Sequence, residues 1–174
     1  MGDSTMRATG WMTRIEALIA KALSAASWGI AYRTAARFWE LAPVGGADQA
    51  LTTNAFVIVT GATTPATFKP TSTGRVRVTF FVTVEAGANA DTLQAGVSVG
   101  AASVVPVFET ATPITVPANS AIQVSGSVDL DQPPASTVFP LGVPAVINLI
   151  VAAATANRLT IKGNSTVFSC QEIQ

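Results

Sequence analysis

Two hydrophobic periods divide this chain near Pro43. Before it, apolar residues recur at Ile15, Leu18, Ile19, Ala22, Leu23 and Ala26, spacings of three and four that gather side chains on one stripe of an α-helix. Thr13-Arg-Ile-Glu16 opens the stripe as a capping box: the Thr hydroxyl accepts from the Glu16 N–H, and the carboxylate returns to the cap's own N–H. Ala17, Ala20 and Ala25 add helix propensity. Gly29 bends or divides the helix, a second helical piece is expected over Ile30–Leu41, and Pro43 with Gly45-Gly46 ends it.

After residue 50 the period falls to two. Arg75–Glu85 is the clearest strand, with Val76, Val78, Phe80, Val82 and Val84 on one face and Arg75, Arg77, Thr79, Phe81, Thr83 and Glu85 on the other. Further strands are predicted at Phe56–Thr60, Leu93–Val99, Ser103–Phe108, Ile114–Val116, Ala121–Leu130, Val146–Ala154, Arg158–Ile161 and Thr166–Ile173. Pro113, Pro117, Pro133-Pro134, Asn157 and Gly163-Asn164 separate them as turns do. Val146–Ala154 is apolar on both faces, so it should be covered on both sides; in a sandwich, the core on one face and a neighbouring subunit on the other is one way to do so. The expected fold is mainly β: a sandwich or jelly roll of about eight strands over 51–174, preceded by an N-terminal α-helical arm over 1–50.

Composition sharpens this picture. The chain is 49% hydrophobic and only 11% charged, against roughly 25% charged in ordinary soluble domains. So few charges leave a monomer's surface poorly solvated, and a permanent interface would hide the surplus. An Ala/Thr-rich genomic bias is the other account. A formal charge of zero opposes a nucleic-acid footprint. Residues 1–42 hold Arg7, Arg14, Lys21, Arg33 and Arg37 against Asp3, Glu16 and Glu40, an asymmetry that fits a solvated helix face. No export signal and no membrane-spanning run is recognised, so synthesis in the cytoplasm without a membrane partner is expected.

All three tryptophans, Trp11, Trp28 and Trp39, fall in the first 42 residues. With Ile15, Leu18, Ile19 and Leu23 they compose either an arm that docks on another protein or a helix that folds back on its own β domain. Phe80, Phe81, Ile147, Leu149 and Val151 are the candidates for core and subunit contact.

Chemistry is sparse. The chain has no histidine, which removes the commonest general base and the commonest metal ligand together. Cys170 sits in Val167-Phe-Ser-Cys170 as a strand residue with nothing basic beside it in sequence, fitting a core or interface position. Asp129 and Asp131 flank Leu130, a spacing that fits either a solvated turn or a calcium ligand pair. No glycine-rich phosphate motif is present, and Asn164-Ser-Thr166 reads as a turn rather than a used sequon. The expectation is a protein that is not an enzyme and holds no cofactor or metal.

Gly74-Arg-Val-Arg-Val-Thr-Phe-Phe-Val-Thr-Val-Glu85, Thr115-Val-Pro-Ala-Asn119, the strand Ala121–Leu130 and the ending Leu159–Ile173 together resemble the compact jelly rolls of tumour-necrosis-factor-like topology in virion proteins of tailed bacteriophages. The likeness covers about residues 51–174 and rests on pattern. It implies a homo-oligomer, a trimer in most such proteins, serving as a capsid decoration (cement) protein or head fibre in the virion. Residues 1–50 would then attach it to the major capsid protein or another virion protein. The alternative is a fibre or tail-tip module that recognises a host surface glycan or protein through the loops Gly87–Thr92 and Asp131–Phe139.

Overall fold

The computed structural model describes residues 47–133 and 135–173, together with the backbone of a strand at 38–41. These belong to one compact unit, Arg37–Gln174. Among the described residues there is no α-helix; a single 3-10 turn occupies Gly163–Ser165.

The strands are β1 (Phe38–Leu41), β2 (Gln49–Ala50), β3 (Val57–Thr63), β4 (Val76–Ala86), β5 (Asp91–Val99), β6 (Pro106–Glu109), β7 (Ile114–Val116), β8 (Ala121–Asp129), β9 (Ile147–Ala153), β10 (Leu159–Ile161) and β11 (Val167–Glu172). They form two antiparallel sheets. In the first, β4 pairs with β8 on one side and with β11 and β10 on the other, and β1 and β2 add to β11 and β10. In the second, β9 lies between β3 and β5, and β5 also pairs with β6 and β7.

The pairing has a simple order once β1/β2, β6/β7 and β10/β11 are each taken as one interrupted strand. The first strand then pairs with the last, β3 with β9, β4 with β8, and β5 with β6/β7. The chain is thus one long antiparallel ribbon, doubled back on itself, whose successive pairs alternate between the two sheets.

Alternation along β4 is realised without a slip. Val76, Val78, Phe80, Val82, Val84 and Ala86 are buried, while Arg77, Phe81 and Glu85 face outward. The inward set joins Leu93, Ala95 and Val97 of β5, Leu149 and Val151 of β9, and Phe168 and Cys170 of β11 in one apolar cluster. Each of these side chains removed from water contributes roughly 1.5–3 kcal/mol when large and aliphatic or aromatic.

Two expectations are corrected. The helical piece placed over Ile30–Leu41 ends instead as strand β1, with Trp39 opposite Cys170 in register. Backbone hydrogen bonds from the open edge of β11 outweigh the local helical preference there, as sheet context commonly does. The remainder of the expected helical arm lies outside the described residues. The outer face of β9 does not wait for a neighbouring subunit: Ile150 has no exposure and Asn148 1% within this chain alone. Asn148 is held by a polar network, with Thr63 donating to its Oδ1 (2.8 Å) and its Nδ2 donating to the Gly100 carbonyl (2.9 Å) and Ser98 Oγ (3.2 Å). That satisfaction is what lets a polar side chain stay buried.

Candidate interaction surface

Because every pair is antiparallel, three connections meet at one end of the sandwich: 64–75 between β3 and β4, 100–105 between β5 and β6, and 130–146 between β8 and β9. Backbone hydrogen bonds weld them. Phe139 donates to the Gly74 carbonyl (2.8 Å), Gly142 to Pro70 (2.8 Å), Ala145 to Phe68 (3.0 Å) and Gly100 to Val146 (2.9 Å). Gly74 is required at its place, because its φ of +69° is left-handed and an added Cβ would meet the Phe139 carbonyl oxygen at 2.2 Å. On this scaffold Val104, Val105, Val138, Leu141 and Val143 stand exposed, Val105 by 71% and Val138 by 63%. The remaining large exposed hydrophobic among the described residues is Phe81, on the outer face of the first sheet.

The carboxylates at this end are tied down. The Glu172 carboxylate is cradled by consecutive backbone N–H groups: Thr71 donates to Oε2 (2.9 Å), and Ser72 (2.7 Å), Thr73 (2.6 Å) and Gly74 (3.1 Å) donate to Oε1. Burial pushes the Glu172 pKa up, but these donors reverse that push and hold it at about 2. Such a run of N–H groups is an anion-binding nest, here filled by the chain's own carboxylate. Arg77 grips Asp129 through two bonds, Nε to Oδ1 (2.6 Å) and Nη2 to Oδ2 (2.8 Å). The hydrogen bond from Arg77 leads the effects that lower the Asp129 pKa. Arg75 pairs with Asp131 Oδ2, and Asp131 Oδ1 is buried without a partner.

Asp129 and Asp131, one of whose readings was a calcium pair, are therefore each neutralised by an arginine. No group of three or more candidate metal ligands occurs among the described residues. Cys170 has no exposure and burial pushes its thiol pKa up, the opposite of an activated nucleophile. Gly163-Asn164 does turn the chain, and Lys162 before it bridges Asp48 (2.5 Å) and Glu85 (2.9 Å), which raises its pKa to about 12.

Of the residues singled out in the sequence, Phe80, Ile147, Leu149 and Val151 have no exposure and belong to the core, whereas Phe81 is 40% exposed. Trp11, Ile15, Leu18, Ile19, Leu23 and Trp28 lie outside the described residues; Trp39 is placed only by its backbone in β1. The two recognition loops fall at opposite ends of the sandwich, since Gly87–Thr92 follows the far end of β4 and Asp131–Phe139 follows the near end of β8. They cannot share a ligand. Val104, Val105, Leu141 and Val143 were not singled out; Val-Val-Pro and Leu-Gly-Val-Pro, aliphatics set beside proline, were the available signal, the first of them read as strand Ser103–Phe108 where β6 begins only at Pro106.

Two of the grooves among the described residues bear on chemistry. One of about 360 Å³, lined by Phe108, Val128 and Pro133 with Arg77, Ser127, Asp129 and Gln132, runs between the sheet edges β8 and β6. Its titratable side chains are the Arg77–Asp129 pair, already bonded to each other. The other, about 170 Å³, is lined by Asn54, Thr92, Gln94, Pro113 and Ala152–Ala154, with no titratable side chain. Neither groove assembles a nucleophile with a base. What these surfaces offer is apolar area.

No protein-family model matches this chain, and no curated protein does. Among solved structures, the chain is similar to a chain in the structure of infectious bursal disease virus strain Gx, at a TM-score of 0.45 and 11% identity over 79% of this chain. It is also similar to one in the Gt strain, at 0.45 and 9% identity over 82%. It spans 38% and 39% of the length of those chains. No residue correspondence follows from a likeness this loose.

Proposed function

We propose that this chain is a non-enzymatic structural subunit of a virus particle, acting by burial of apolar surface between copies of itself and against the particle. The doubled ribbon fits the wrapping of a jelly roll, which agrees with the resemblance to tailed-phage virion proteins read from the sequence. In the finer form of the proposal the chain is a homotrimeric capsid decoration protein, and residues 1–50 fix it to the major capsid protein or another virion protein. The observation that carries the reading is the loop end: five exposed aliphatic side chains stand on hydrogen-bonded connections whose carboxylates are engaged. Such a surface binds by excluding water rather than by chemistry.

Light scattering of the full chain tests the assembly. A native mass that is a whole multiple of three 17.8 kDa chains is expected; a monomer overturns the trimer. Val138→Asp combined with Leu141→Asp alters only exposed positions, so the β spectrum should persist while incorporation into particles falls at least tenfold. Unchanged incorporation overturns the role of this end.

A further inference from the structure

The sheet edges differ sharply in how they are guarded. An edge strand presents unpaired N–H and C=O groups, and proteins blunt such edges with short strands, prolines, bulges or charges. Here β2 has two residues, β7 three and β1 four. β3 carries a register shift between Ile58 and Thr63, and β6 starts at a proline and shifts beside Ser98. β8 has none of these defences. It runs nine residues in unbroken register with β4, from Ala121 to Asp129, and its other side pairs with no strand among the described residues. From Ala121 to Val128 it has no charge and no proline, and Ile122 and Gly126 on its inward face are only half-buried.

We infer that β8 is an assembly edge on which a second copy of this chain adds its own β8, antiparallel, about a two-fold axis at Ser125. The sequence of β8 is self-complementary in that register. Residues opposite each other in an antiparallel pair share a face, so the partner must keep inward positions against inward positions. Centring on Ser125 does this across all nine residues: Ile122 faces Val128, Val124 faces Gly126, and Gln123 faces Ser127, each from the other copy. Shifting the centre to Val124 or Gly126 also preserves the faces but shortens the ladder. Asp129 falls opposite Ala121, so no like charges meet. A two-fold contact of this kind is isologous, using one patch twice. It is independent of the trimer proposed above, and combined with it joins trimers in pairs.

Cysteine cross-linking in the full chain tests the register. Cys170, without exposure, does not interfere. Oxidised Ser125→Cys should run as a covalent dimer on a non-reducing denaturing gel, whatever the native mass. Gln123→Cys alone should not, since its two sulfur-bearing residues would stand four positions apart, about 13 Å, where a disulfide needs Cα atoms within about 7 Å. The double variant Gln123→Cys, Ser127→Cys restores the cross-link. Ser125→Lys sets two ammonium groups face to face and should halve the native mass. Absence of the Ser125→Cys dimer, equal cross-linking by Gln123→Cys alone, or an unchanged mass for Ser125→Lys each overturns the inference.

Discussion

Replacing Glu172 by Gln isolates a fastening that joins the last strand to the β3–β4 loop, 98 to 101 residues away in sequence. Gln keeps the shape but loses the charge. Its carbonyl can take the place of Oε1 before Ser72, Thr73 and Gly74, and its amide NH2 then faces the Thr71 N–H, donor against donor. The magnitude follows from the ionisation. Glu172 has a pKa of about 2 in the fold against an ordinary 4.5, and each pKa unit is worth 1.36 kcal/mol, so the nest contributes about 3 kcal/mol at neutral pH. Glu172 is 4% exposed, so little of this is screened by solvent.

The pH dependence has a definite sign. The folded pKa lies below the unfolded one, so the contribution is complete above about 4.5 and is lost as the pH falls through about 2. Thermal unfolding of wild type and Glu172→Gln, followed by circular dichroism, should differ by about 10 °C at pH 7. Taking the difference between the two proteins cancels the other carboxylates, which titrate in both. The gap should narrow steadily between pH 4.5 and pH 2. A gap that stays constant from pH 7 to pH 2.5 would refute the nest as its origin.

Phe80 and Phe81 are neighbours in sequence with opposite fates, so Phe80→Ala should lower stability by about 3–5 kcal/mol in urea unfolding. Phe81→Ser should change the stability of the subunit by under about 1 kcal/mol, and equal losses would contradict the alternation of β4. Gly126 lies opposite Phe80, and a Cβ there would meet the ring at 2.3 Å. Because that ring is itself fully buried, Gly126→Ala should lower the urea midpoint by an amount equivalent to about 1–3 kcal/mol. An unchanged midpoint would mean the ring has room to move. Cys170 should resist a thiol reagent in the native protein and react once unfolded; rapid native labelling would show that β11 opens locally.

The parts legible in sequence were those where one face is buried and the other is not. β4 and β8 declared themselves because burial on a pleated sheet imposes a period of two, and that period was visible from Arg75 to Glu85 and from Ala121 to Asp129. β1 and β2 gave no such signal, since strands of four and two residues are too short for a period and exist because β11 and β10 offer them backbone partners. Phe38–Leu41 read as helix for that reason. The Glu172 nest was invisible on similar grounds: its donors are backbone groups, which no residue type announces, and they come from a loop distant in sequence. The exposed aliphatics of 138–143 went unnoticed because a loop has no periodicity to violate, and Val104 and Val105 because they were read as part of a strand over Ser103–Phe108 that begins only at Pro106.

Composition acquires its meaning only with the pairing on the page. Sparse charge would be harmless if the few charged groups were all turned to solvent. Instead Arg75, Arg77, Asp129, Asp131, Asp48, Glu85 and Lys162 are engaged with one another, and Glu172 with backbone. Lys69, Glu109 and Arg158 are exposed charges with no ion pair among the described residues. A surface so thinly solvated, ending in an edge that is uncharged from Ala121 to Val128 on one side and exposed aliphatic loop residues at one end, is poorly suited to a lone subunit in water. Internal fastening of the charges leaves the apolar surfaces to decide what the subunit meets next. That coupling is why the edge and the loop end are better explained as contacts than as accidents of an alanine-rich chain.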